Sequence, residues 1–492
     1  MKQLILLLIF LLLVSCISSN RNQVADRMPN ILLIVSDDHG MNDAGCYGNP
    51  VIKTPNLDYL ASQGLRFNNA FCTTASCSAS RSVILTGLYN HANGQFGHQH
   101  AFHHFSTFDH IKSLPVLLAE GGYRTARIGK FHVGPEEVYP FDFVLDGHCR
   151  SPVEMADACK PVFESNSQSP FFLYFCTCDP HRGEGKIESE SYQPDRFGNR
   201  EAGWPGIVPV HYNPEEVIVP DYLPDLQATR AELAQYYESV SRVDQGLGHL
   251  FELLKEYGKW DNTVIIYISD NGIAFPGAKT NLYEPGMKLP CIVYDPSCGI
   301  QNAETDALVC WADITPTILD YAGILPEDNS IPGITPMEWE FLEIPRPSKF
   351  HGKSFRKVMN NPDTDEFEEI YASHTFHEIT MYYPMRVIRT REYKLIWNIA
   401  SGLDYPYASD LWESATWQAA LESGSGKYAK RSIESYERRP RFELYNIQED
   451  PMELNNLAFK PEYADIMEKM KTKLINFQER TMDPWIVKWE HE

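Results

Sequence analysis

Three continuous apolar runs dominate the hydrophobic pattern of this chain. They cover residues 30–36 (NILLIVS), 171–175 (FFLYF) and 262–269 (NTVIIYIS). Apolar runs of this length without polar alternation are typical of strands that are buried on both faces. Because segments with helical spacing separate them, the pattern predicts an α/β domain in which helices cover a large, mostly parallel or mixed sheet.

Four segments carry apolar residues at helical spacing. They are residues 113–120, 227–257, 313–322 and 463–480. Steps of three and four residues place the apolar side chains on one face of a helix. The longest segment is predicted to bury such a face in the core, and its members are Leu233, Tyr236, Tyr237, Val240, Val243, Leu247, Leu250 and Leu254.

The pattern changes in the last quarter of the chain. Residues 370–375 are predicted to form the last strand of the main sheet, whereas residues 386–398 and 442–446 have the pattern of further short strands. We therefore predict a main domain over residues 28–382 and a smaller C-terminal α+β domain with an antiparallel sheet over residues 383–492. Residues 184–225 form a long polar insertion rich in proline and glycine, and this length favours a functional loop.

The first residues have the pattern of an export signal. Lys2 precedes an apolar run over residues 4–14, which is too short to span a membrane comfortably. The run ends in Leu13-Val14-Ser15-Cys16, which resembles a bacterial lipobox with cleavage before Cys16. We expect a lipoprotein signal peptide over residues 1–16, a tether over residues 17–27, and an exported protein that is periplasmic or associated with the outer membrane. An ordinary secretory signal is the alternative.

Charge and cysteine content narrow the functional classes. The formal net charge of −23 argues against nucleic-acid binding, so any pocket for an anionic substrate must be locally positive. Of the 11 cysteines, those other than Cys16 and Cys77 are scattered without a C-x-x-C pair. This scatter indicates neither a zinc site nor a dense disulfide framework, and one bridge such as Cys149–Cys159 fits it.

Acidic residues follow two of the predicted buried strands. Asp37 and Asp38 come directly after residue 36, and Asp270 and Asn271 come directly after residue 269. Adjacent carboxylates at the end of a buried strand repel each other unless a cation compensates them. Sites in open α/β sheets form outside the carboxyl ends of the strands. The pattern predicts an oxygen-ligated site for Ca²⁺ or Mg²⁺, with ordinary acidic turns as the alternative.

The segment Cys77-Ser78-Ala79-Ser80-Arg81, followed by Thr86-Gly87, suggests a nucleophile beside an anion pocket. A helix is predicted to begin near Ala79 and end near Gly87, which places Cys77 at its N-terminus, where free N–H groups favour an anion. Arg81 would reach the same place with a forked donor set. A buried, inert cysteine in an ordinary helix is the alternative.

The string C-x-A-x-R followed by T-G resembles the signature of the type I sulfatases, in the alkaline phosphatase superfamily. The resemblance covers nearly the whole mature chain, including residues 444–458 (LYNIQEDPMELNNLA). It implies that a maturation enzyme converts Cys77 to formylglycine, whose hydrate attacks sulfur, and that Arg81 holds the hydrate. It also implies that Ca²⁺ is bound by the set Asp37, Asp38, Asp270, Asn271 and the matured Cys77.

Further motifs of the same family follow. Gly129-Lys130-Phe131-His132 matches G-K-x-H, which implies that Lys130 binds the sulfate and that His132 takes a proton during its release. His181, in the DPH motif, would be the general acid for the leaving group. Lys279, four residues before Tyr283, matches the second sulfate-binding lysine.

Stretches around the predicted pocket resemble the sulfamidase branch of this family. They are residues 93–109, 129–143, 179–182, 280–286 and 377–386. The branch implies an exo-acting N-sulfoglucosamine sulfohydrolase for heparin and heparan sulfate fragments. Arg182, His377, Glu378 and Arg386 are the candidates for sugar recognition. Two departures are Lys279, where that branch has arginine, and Gly183, where it has cysteine; the latter implies that a disulfide is missing.

Three alternatives remain open from the sequence. A carbohydrate O-sulfatase or a phosphonate or phosphodiester hydrolase would use the same scaffold. A surface glycan-binding lipoprotein that never acquires formylglycine is the third. The expected partners are sulfated glycosaminoglycan fragments, the maturation enzyme and a membrane through the lipid anchor alone; a homodimer is compatible with the sequence.

Overall fold

The computed structural model describes residues 28–164, 167, 169–183, 195–335, 344 and 346–491. The predicted signal peptide and tether therefore lie outside the described residues, as do residues 184–194 of the long insertion. Residues 195–225, the described part of that insertion, contain no helix or strand, as expected.

An eight-stranded sheet forms the centre of the fold, in the order β5-β4-β6-β1-β7-β8-β2-β9. Its strands are β1 (Asn30–Ser36), β2 (Leu65–Phe67), β4 (Arg124–Gly129), β5 (Phe143–Leu145), β6 (Phe171–Cys176), β7 (Thr263–Ser269), β8 (Cys291–Tyr294) and β9 (Ala303–Thr305). Strand β1 pairs in parallel with β6 and β7, whereas β8 is antiparallel to β7 and β2. The predicted mixed, mostly parallel sheet is confirmed.

Strand β1 shows why the apolar runs are continuous. All seven of its residues are buried. Ile31, Leu33 and Val35 pack into one hydrophobic cluster, while Leu32 and Ile34 pack into another on the opposite face. Both faces of the strand are therefore covered, so polar alternation would bury unpaired polar groups.

Helices cover the sheet and connect its strands. They are α1 (Pro55–Gln63), α2 (Cys77–Thr86), α3 (Asn90–Asn93), α4 (Leu114–Glu120), α5 (Pro152–Ala158), α6 (Lys160–Glu164), α7 (Gln227–Glu256), α8 (Glu284–Met287), α9 (Ile314–Tyr321), α10 (Ser409–Trp412), α11 (Ala415–Glu422), α12 (Ile433–Glu437) and α13 (Ala464–Arg480). The apolar face predicted for α7 is buried throughout. Among the described residues, no helix combines the length and apolar character that a membrane span requires.

Shorter elements complete the described structure. The 3₁₀ helices are Gly45–Tyr47, Glu136–Val138, Trp260–Asn262, Trp311–Asp313, Arg356–Met359, Pro461–Tyr463 and Pro484–Trp489. Two small sheets pair β3 (Ala70–Phe71) with β10 (Val309–Cys310), and β14 (Lys427–Tyr428) with β15 (Arg431–Ser432).

A separate antiparallel sheet follows in the C-terminal part, as predicted. Its strands are β11 (Glu369–His374), β12 (Met385–Thr390), β13 (Tyr393–Asn398) and β16 (Phe442–Asn446), in that order. The expectation that residues 370–375 end the main sheet is wrong, because β11 pairs with β12. A short buried strand gives no sequence sign of its partner. The domain division at residue 383 stays a prediction. It assigns β11 to the main domain, although β11 pairs with β12 of the C-terminal sheet.

The structure corrects the suggested cysteine pairing. Cys149 is bonded to Cys178 and not to Cys159, which is a buried free thiol directly after α5. Cys149 and Cys178 are 29 residues apart in sequence, and their Cα atoms are 5.0 Å apart. The bond fastens the chain directly before residues 179–181.

Candidate active site

Acidic side chains converge where β1 and β7 end. Ser36 is paired with Ser269 in register, so the residues that follow them lie side by side. The backbone N–H of Asp38 donates to Asp270 Oδ1 at 3.1 Å, and Asn271 Nδ2 donates to Asp38 Oδ1 at 2.6 Å. All these side chains are fully buried. The structure thus brings the four predicted oxygen ligands, Asp37, Asp38, Asp270 and Asn271, to one edge of the sheet.

Three non-glycine residues at this edge have left-handed backbone conformations. The φ angle is 64° at Asp38, 60° at His132 and 67° at Thr280. Such values are uncommon, above all for a β-branched residue such as threonine. The surrounding structure holds Thr280 through its N–H, which donates to Ala75 O, and through Tyr405 Oη, which donates to its carbonyl oxygen. Strain of this kind is concentrated at functional sites.

Helix α2 begins at Cys77, two residues earlier than predicted. Ser76 occupies the N-cap position, and Cys77 Sγ lies 3.7 Å from Asp38 Oδ1. The thiol is fully buried, and burial raises its pKa well above the usual value, against the opposing effect of Lys130. An unmodified thiol in this place is therefore a poor source of thiolate.

Arg81 lies one turn into the same helix and is fully buried. Its Nε donates to Asp270 Oδ2 at 2.8 Å, and its Nη1 donates to the carbonyl oxygen of Lys130 at 3.0 Å. Within the described part of the chain, its Nη2 has no hydrogen-bond partner. Arg81 thus ties β7 to the segment after β4 and keeps one donor free for an anion.

Lys130 directly follows β4, and its ammonium group contacts Asp37 Oδ2 at 2.5 Å. The preceding Gly129 has a φ of 81°, and a Cβ there would lie 2.0 Å from the carbonyl oxygen of Cys176. Only glycine allows this close approach to the neighbouring strand β6. The glycine of the G-K-x-H motif therefore sets the position of the lysine.

Lys279 connects three groups of the site. Its Nζ donates to Asp38 Oδ2 at 3.0 Å and to Asp410 Oδ2 at 3.1 Å. The same atom lies 3.0 Å from His181 Nε2. Although the lysine is buried, the pKa is raised well above its usual value, because the carboxylates of Asp38 and Asp410 outweigh the desolvation. A charged ammonium is thus fixed beside the imidazole of His181.

Hydrogen bonds from two buried arginines hold the loop that carries His181. Asp179 is fully buried and accepts hydrogen bonds from Arg150 Nη1 at 2.5 Å and Arg242 Nε at 2.6 Å. Arg150 Nη2 also donates to the carbonyl oxygen of His181 at 3.1 Å. Together with the bond at Cys178, these contacts fix the position of His181. Burial and the charge of Lys279 lower the pKa of His181 well below its usual value.

The acidic edge fits a hard divalent cation. One ligand atom each from Asp37, Asp38, Cys77 and Asp270 lies within 4.8 Å of the others. Among the described residues, the buried oxygens Asp37 Oδ1 and Asn271 Oδ1 have no hydrogen-bond partner. Burial raises the pKa of Asp270 to about 6, and the charge of Asp37 adds to this effect. A bound cation would satisfy the free oxygens and offset the repulsion, and carboxylate and amide oxygens are ligands that Ca²⁺ and Mg²⁺ prefer.

Two of the candidate sugar-binding residues belong to the packed interior. Arg386 lies in strand β12 of the C-terminal antiparallel sheet and is fully buried, and its Nε and Nη2 donate to Asp483 at 2.5 and 2.8 Å. Arg182 pairs with Glu232 and lies over the ring of Phe197 at 4.7 Å. Their guanidinium groups are already engaged by buried carboxylates, so the structure gives no support to the predicted assignment of Arg182 and Arg386 to substrate binding.

The other two candidates lie nearer to the site. His377 is buried, with Nδ1 2.9 Å from Ser76 Oγ and Nε2 2.9 Å from His98 Nε2. It therefore contacts the residue that precedes Cys77. Glu378 accepts hydrogen bonds from the N–H of Ser409 at 2.9 Å and from its hydroxyl at 2.6 Å, which holds the start of helix α10. Their roles in substrate binding stay predictions.

Sequence reasoning missed Asp410 and the histidines near His132. Asp410 lies in helix α10, and its Oδ1 is buried without a hydrogen-bond partner in the described structure. His100 Nδ1 is in contact with His132 Nε2, and His98 packs beside both rings. The dense histidines of residues 98–104 were a visible signal, whereas Asp410 carries none, because only the fold brings it to Lys279.

Comparison with known proteins agrees with this geometry. The family model described as Sulfatase matches residues 29–324. The chain is 36% identical over 475 residues to N-sulphoglucosamine sulphohydrolase from Homo sapiens, an alignment that covers 94% of this chain and 92% of that protein. It is 27% identical over 458 residues to an ulvan-active sulfatase from Formosa agariphila, covering 92% and 80% of the two chains.

A solved structure shares the fold. It is a protein in complex with its substrate D-glucosamine-2-N,6-O-disulfate, and it superposes with a TM-score of 0.63. The superposition covers 93% of this chain and 99% of that one, at 22% identity. At this identity the likeness concerns the fold alone.

Proposed function

Because this chain belongs to the sulfatase family, we propose that it removes N-linked sulfate from terminal glucosamine of heparin and heparan sulfate fragments. The observation that carries the proposal is the convergence of Cys77, Arg81, Lys130, His181 and Lys279 on one acidic strand edge. The choice of an N-sulfated sugar is supported by the relative from Homo sapiens, whose name describes that reaction.

Formylglycine derived from Cys77 would supply the nucleophile, as a hydrated aldehyde in place of a thiol. Cys77 lies at the first position of α2, where the free N–H groups of the helix favour negative charge. Arg81 has a free donor, Nη2, for an oxygen at this position. Lys130 and Lys279 would bind the sulfate oxygens, and they are held in place before substrate arrives.

His181 would protonate the departing nitrogen. Without substrate its pKa is depressed by burial and by the charge of Lys279. A bound sulfate beside Lys279 would offset that charge and favour the protonated imidazole. His132 would take up a proton when the sulfate is released, and burial keeps it neutral, as a base must be.

Asp410 distinguishes an amine leaving group from an alcohol. A glucosamine nitrogen becomes a cation once it is fully protonated, whereas a sugar hydroxyl remains neutral. The carboxylate of Asp410 lies against Lys279, which also contacts His181, and its Oδ1 is buried without a partner in the described residues. An ammonium product would pair with this oxygen, so the carboxylate favours N-sulfate over O-sulfate.

We also propose Ca²⁺ as the metal and Asp37, Asp38, Asp270 and Asn271 as its protein ligands, with the matured Cys77 beside them. The ion would supply positive charge to the sulfate oxygens. Support comes from the two buried oxygens without partners and from the all-oxygen chemistry of the side chains at the strand ends.

Export as a lipoprotein with its lipid on Cys16 remains part of the proposal. The support is the apolar run over residues 4–14 and the disulfide Cys149–Cys178, since such bonds persist in oxidising compartments. A formylglycine-generating maturation enzyme would be the required partner.

The substrate is tested by sulfate release from a panel of glucosamine monosaccharides and disaccharides that carry a single N-, 2-O-, 3-O- or 6-O-sulfate. We expect release from the N-sulfated sugar and at least about a hundredfold lower kcat/KM for the O-sulfated ones. Release from a 6-O-sulfated sugar alone would establish the second candidate, a carbohydrate O-sulfatase. Lys279 favours that candidate, because the sulfamidase branch has arginine there.

A further inference from the structure

A cluster of histidines lies beside the candidate active site and comes from separate segments. His98 and His100 lie between α3 and α4, and His132 lies after β4. One ring nitrogen from each of these three lies within 4.8 Å of the other two. The ring centroids are 4.8 Å apart for His98 and His100, 4.6 Å for His100 and His132, and 5.1 Å for His98 and His132.

Hydrogen bonds between the rings do not satisfy this cluster. A neutral imidazole offers one N–H donor and one lone pair. His98 Nε2 contacts His377 Nε2 at 2.9 Å, and His132 Nε2 contacts His100 Nδ1. In the described structure, Nδ1 of His98 and Nδ1 of His132 are both buried without a partner. A buried ring nitrogen without a partner is disfavoured unless a ligand binds there.

The rings are in the form that binds metals. Burial lowers the pKa of His98 and of His132 well below the usual value, with added effects of nearby charges. Neutral imidazole presents a lone pair and avoids the repulsion between charged rings at this spacing. Imidazole nitrogens suit Zn²⁺, Ni²⁺ and Cu²⁺ and are poor ligands for Ca²⁺.

We propose that His98, His100 and His132 form a second metal site, which binds one divalent transition-metal ion of the Zn²⁺ class. Three histidines with a fourth position open to water are a common zinc arrangement. This site is distinct in its ligands from the all-oxygen set at the strand ends. Its occupation engages the ring of His132 and therefore blocks sulfate hydrolysis, a consequence that rests on the proposed role of His132.

The surrounding charges make the binding reversible. The ammonium groups of Lys279 and Lys130 act on His98, and the charges of Lys130 and Arg81 act on His132; all of them oppose a bound cation. Glu378 acts on His100 in the opposite sense. His103, whose ring centroid lies 5.6 Å from that of His100, borders the cluster on the outside. The occupancy of the site would therefore depend on the concentration of the metal ion in solution, and the ion would not be a permanent part of the fold.

Binding is measured on the full mature chain with Cys77→Ala and millimolar Ca²⁺ present. The substitution removes the thiol, which has affinity for the same metals, and Ca²⁺ occupies the oxygen set. Titration with Co²⁺ should produce visible absorption bands that saturate at one equivalent, and Zn²⁺ should abolish them. Absence of a saturable band, together with no Zn²⁺ uptake in equilibrium dialysis, overturns the proposal.

Variants assign the ion to the cluster. His98→Leu and His100→Gln should each weaken Co²⁺ and Zn²⁺ binding at least tenfold. His100 is exposed, so His100→Gln should leave the fold intact. The matched control is His104→Gln, an exposed histidine of the same segment, which should bind as the parent chain does. Equal affinity in the parent and in both cluster variants overturns the site.

The enzymatic consequence is measured separately on matured protein. Zn²⁺ should inhibit sulfate release from the N-sulfated sugar, and His100→Gln should raise the inhibiting concentration at least tenfold relative to His104→Gln. Binding without inhibition contradicts the competition for His132. If the matured protein releases no sulfate at all, the proposed function fails, whereas the Co²⁺ spectrum still decides the metal site.

Discussion

Two of the buried clusters of charged side chains in the described structure differ in how completely their polar atoms are paired. Beside strand β12 of the C-terminal antiparallel sheet, Asp483 accepts two hydrogen bonds from Arg386, one from Gln478 Nε2 at 3.0 Å and one from the N–H of Trp485 at 3.1 Å. At the edge of the main sheet, Asp37 Oδ1, Asn271 Oδ1 and Arg81 Nη2 have no such partners in the described structure.

The difference separates structural charges from functional ones. Arg386 holds the pKa of Asp483 well below its usual range despite burial, so the carboxylate is stable as a charged group without any further ligand. Burial raises the pKa of Asp38 and of Asp270, so their carboxylates are costly as they stand. Where a fold leaves a buried charged group without enough hydrogen-bond or ion-pair partners, a ligand is expected to supply them.

Cys77→Ala, in the cluster at the edge of the main sheet (the main-sheet cluster, with Asp37, Asp270, Asn271 and Arg81), should have the largest effect on activity and little effect on stability. It should reduce turnover at least about a thousandfold, because the nucleophile is lost. The free energy of unfolding should change by only about 1 kcal/mol, since the side chain is small. Sulfate release and urea denaturation measure the two effects. Cys46→Ala, at a half-buried cysteine, is the control that should retain activity, and an active Cys77→Ala protein would refute the assignment of the nucleophile.

The opposite pattern is expected from Arg386→Ala. It leaves Asp483 as an unpaired buried charge and should lower the free energy of unfolding by about 3–5 kcal/mol, as measured by urea denaturation. The KM of the folded enzyme should not change. Arg391→Ala is the matched control, because Arg391 forms an exposed pair with Glu368 and should lose about 0–1 kcal/mol. A raised KM with unchanged stability would return Arg386 to the substrate pocket.

The ion pair between Arg386 and Asp483 also predicts that the free energy of unfolding depends on pH. Since the folded-state pKa of Asp483 is lowered, its stabilising effect is present above the unfolded pKa of about 3.9 and is lost as pH falls towards the folded value. The difference in unfolding free energy between the parent chain and Arg386→Ala should therefore shrink below about pH 4. A constant difference down to pH 2 would contradict the depressed pKa.

A smaller effect on stability than that of Arg386→Ala is expected from removal of Ca²⁺ with a chelator. Relative to Ca²⁺ at a hundred times its dissociation constant, chelation should cost about 2.7 kcal/mol of stability and abolish turnover. Thermal unfolding with and without Ca²⁺ measures the loss. Asp38→Asn should remove this dependence on Ca²⁺, whereas Arg386→Ala should keep it. A parent chain with the same stability in both conditions would show that the acidic edge binds no such ion.

The smallest effect is expected from Asp410→Asn. Loss of the charge beside the leaving group should lower kcat for the N-sulfated sugar about tenfold to a hundredfold, in line with about 1.5–3 kcal/mol for a hydrogen bond to a charged group. The exposed neighbour Glu413→Gln is the control and should leave kcat unchanged. An equal loss on N- and O-sulfated sugars would show that Asp410 does not select the amine.

Most of the main-sheet cluster was predictable because it depends on local patterns. Asp37 and Asp270 directly follow apolar runs, and parallel strands of one sheet end at the same edge. The position of Cys77 at a helix N-terminus was likewise visible in its own segment. In these cases residue spacing alone sets the geometry.

The errors arose where a partner lies far away in sequence. Arg386 was assigned to the pocket because its segment resembles one that surrounds it, but its carboxylate partner lies 97 residues further along the chain. Asp410 was missed because it reaches Lys279 across 131 residues. Cys149 was paired with the nearer cysteine for the same reason. Long-range contacts of single side chains leave no periodic signal.

The complete burial of Cys77 determines whether its modification can occur before or after the chain folds. Its side chain has no exposed surface, and helix α2 is buried along its whole length. An enzyme that converts this thiol must therefore act before the chain folds. Protein that folds with the thiol intact is committed to the unmodified form, and a maturation enzyme added afterwards acts only on chains that unfold. In the proposed maturation, the yield of active molecules would thus depend on whether Cys77 is modified before the chain folds.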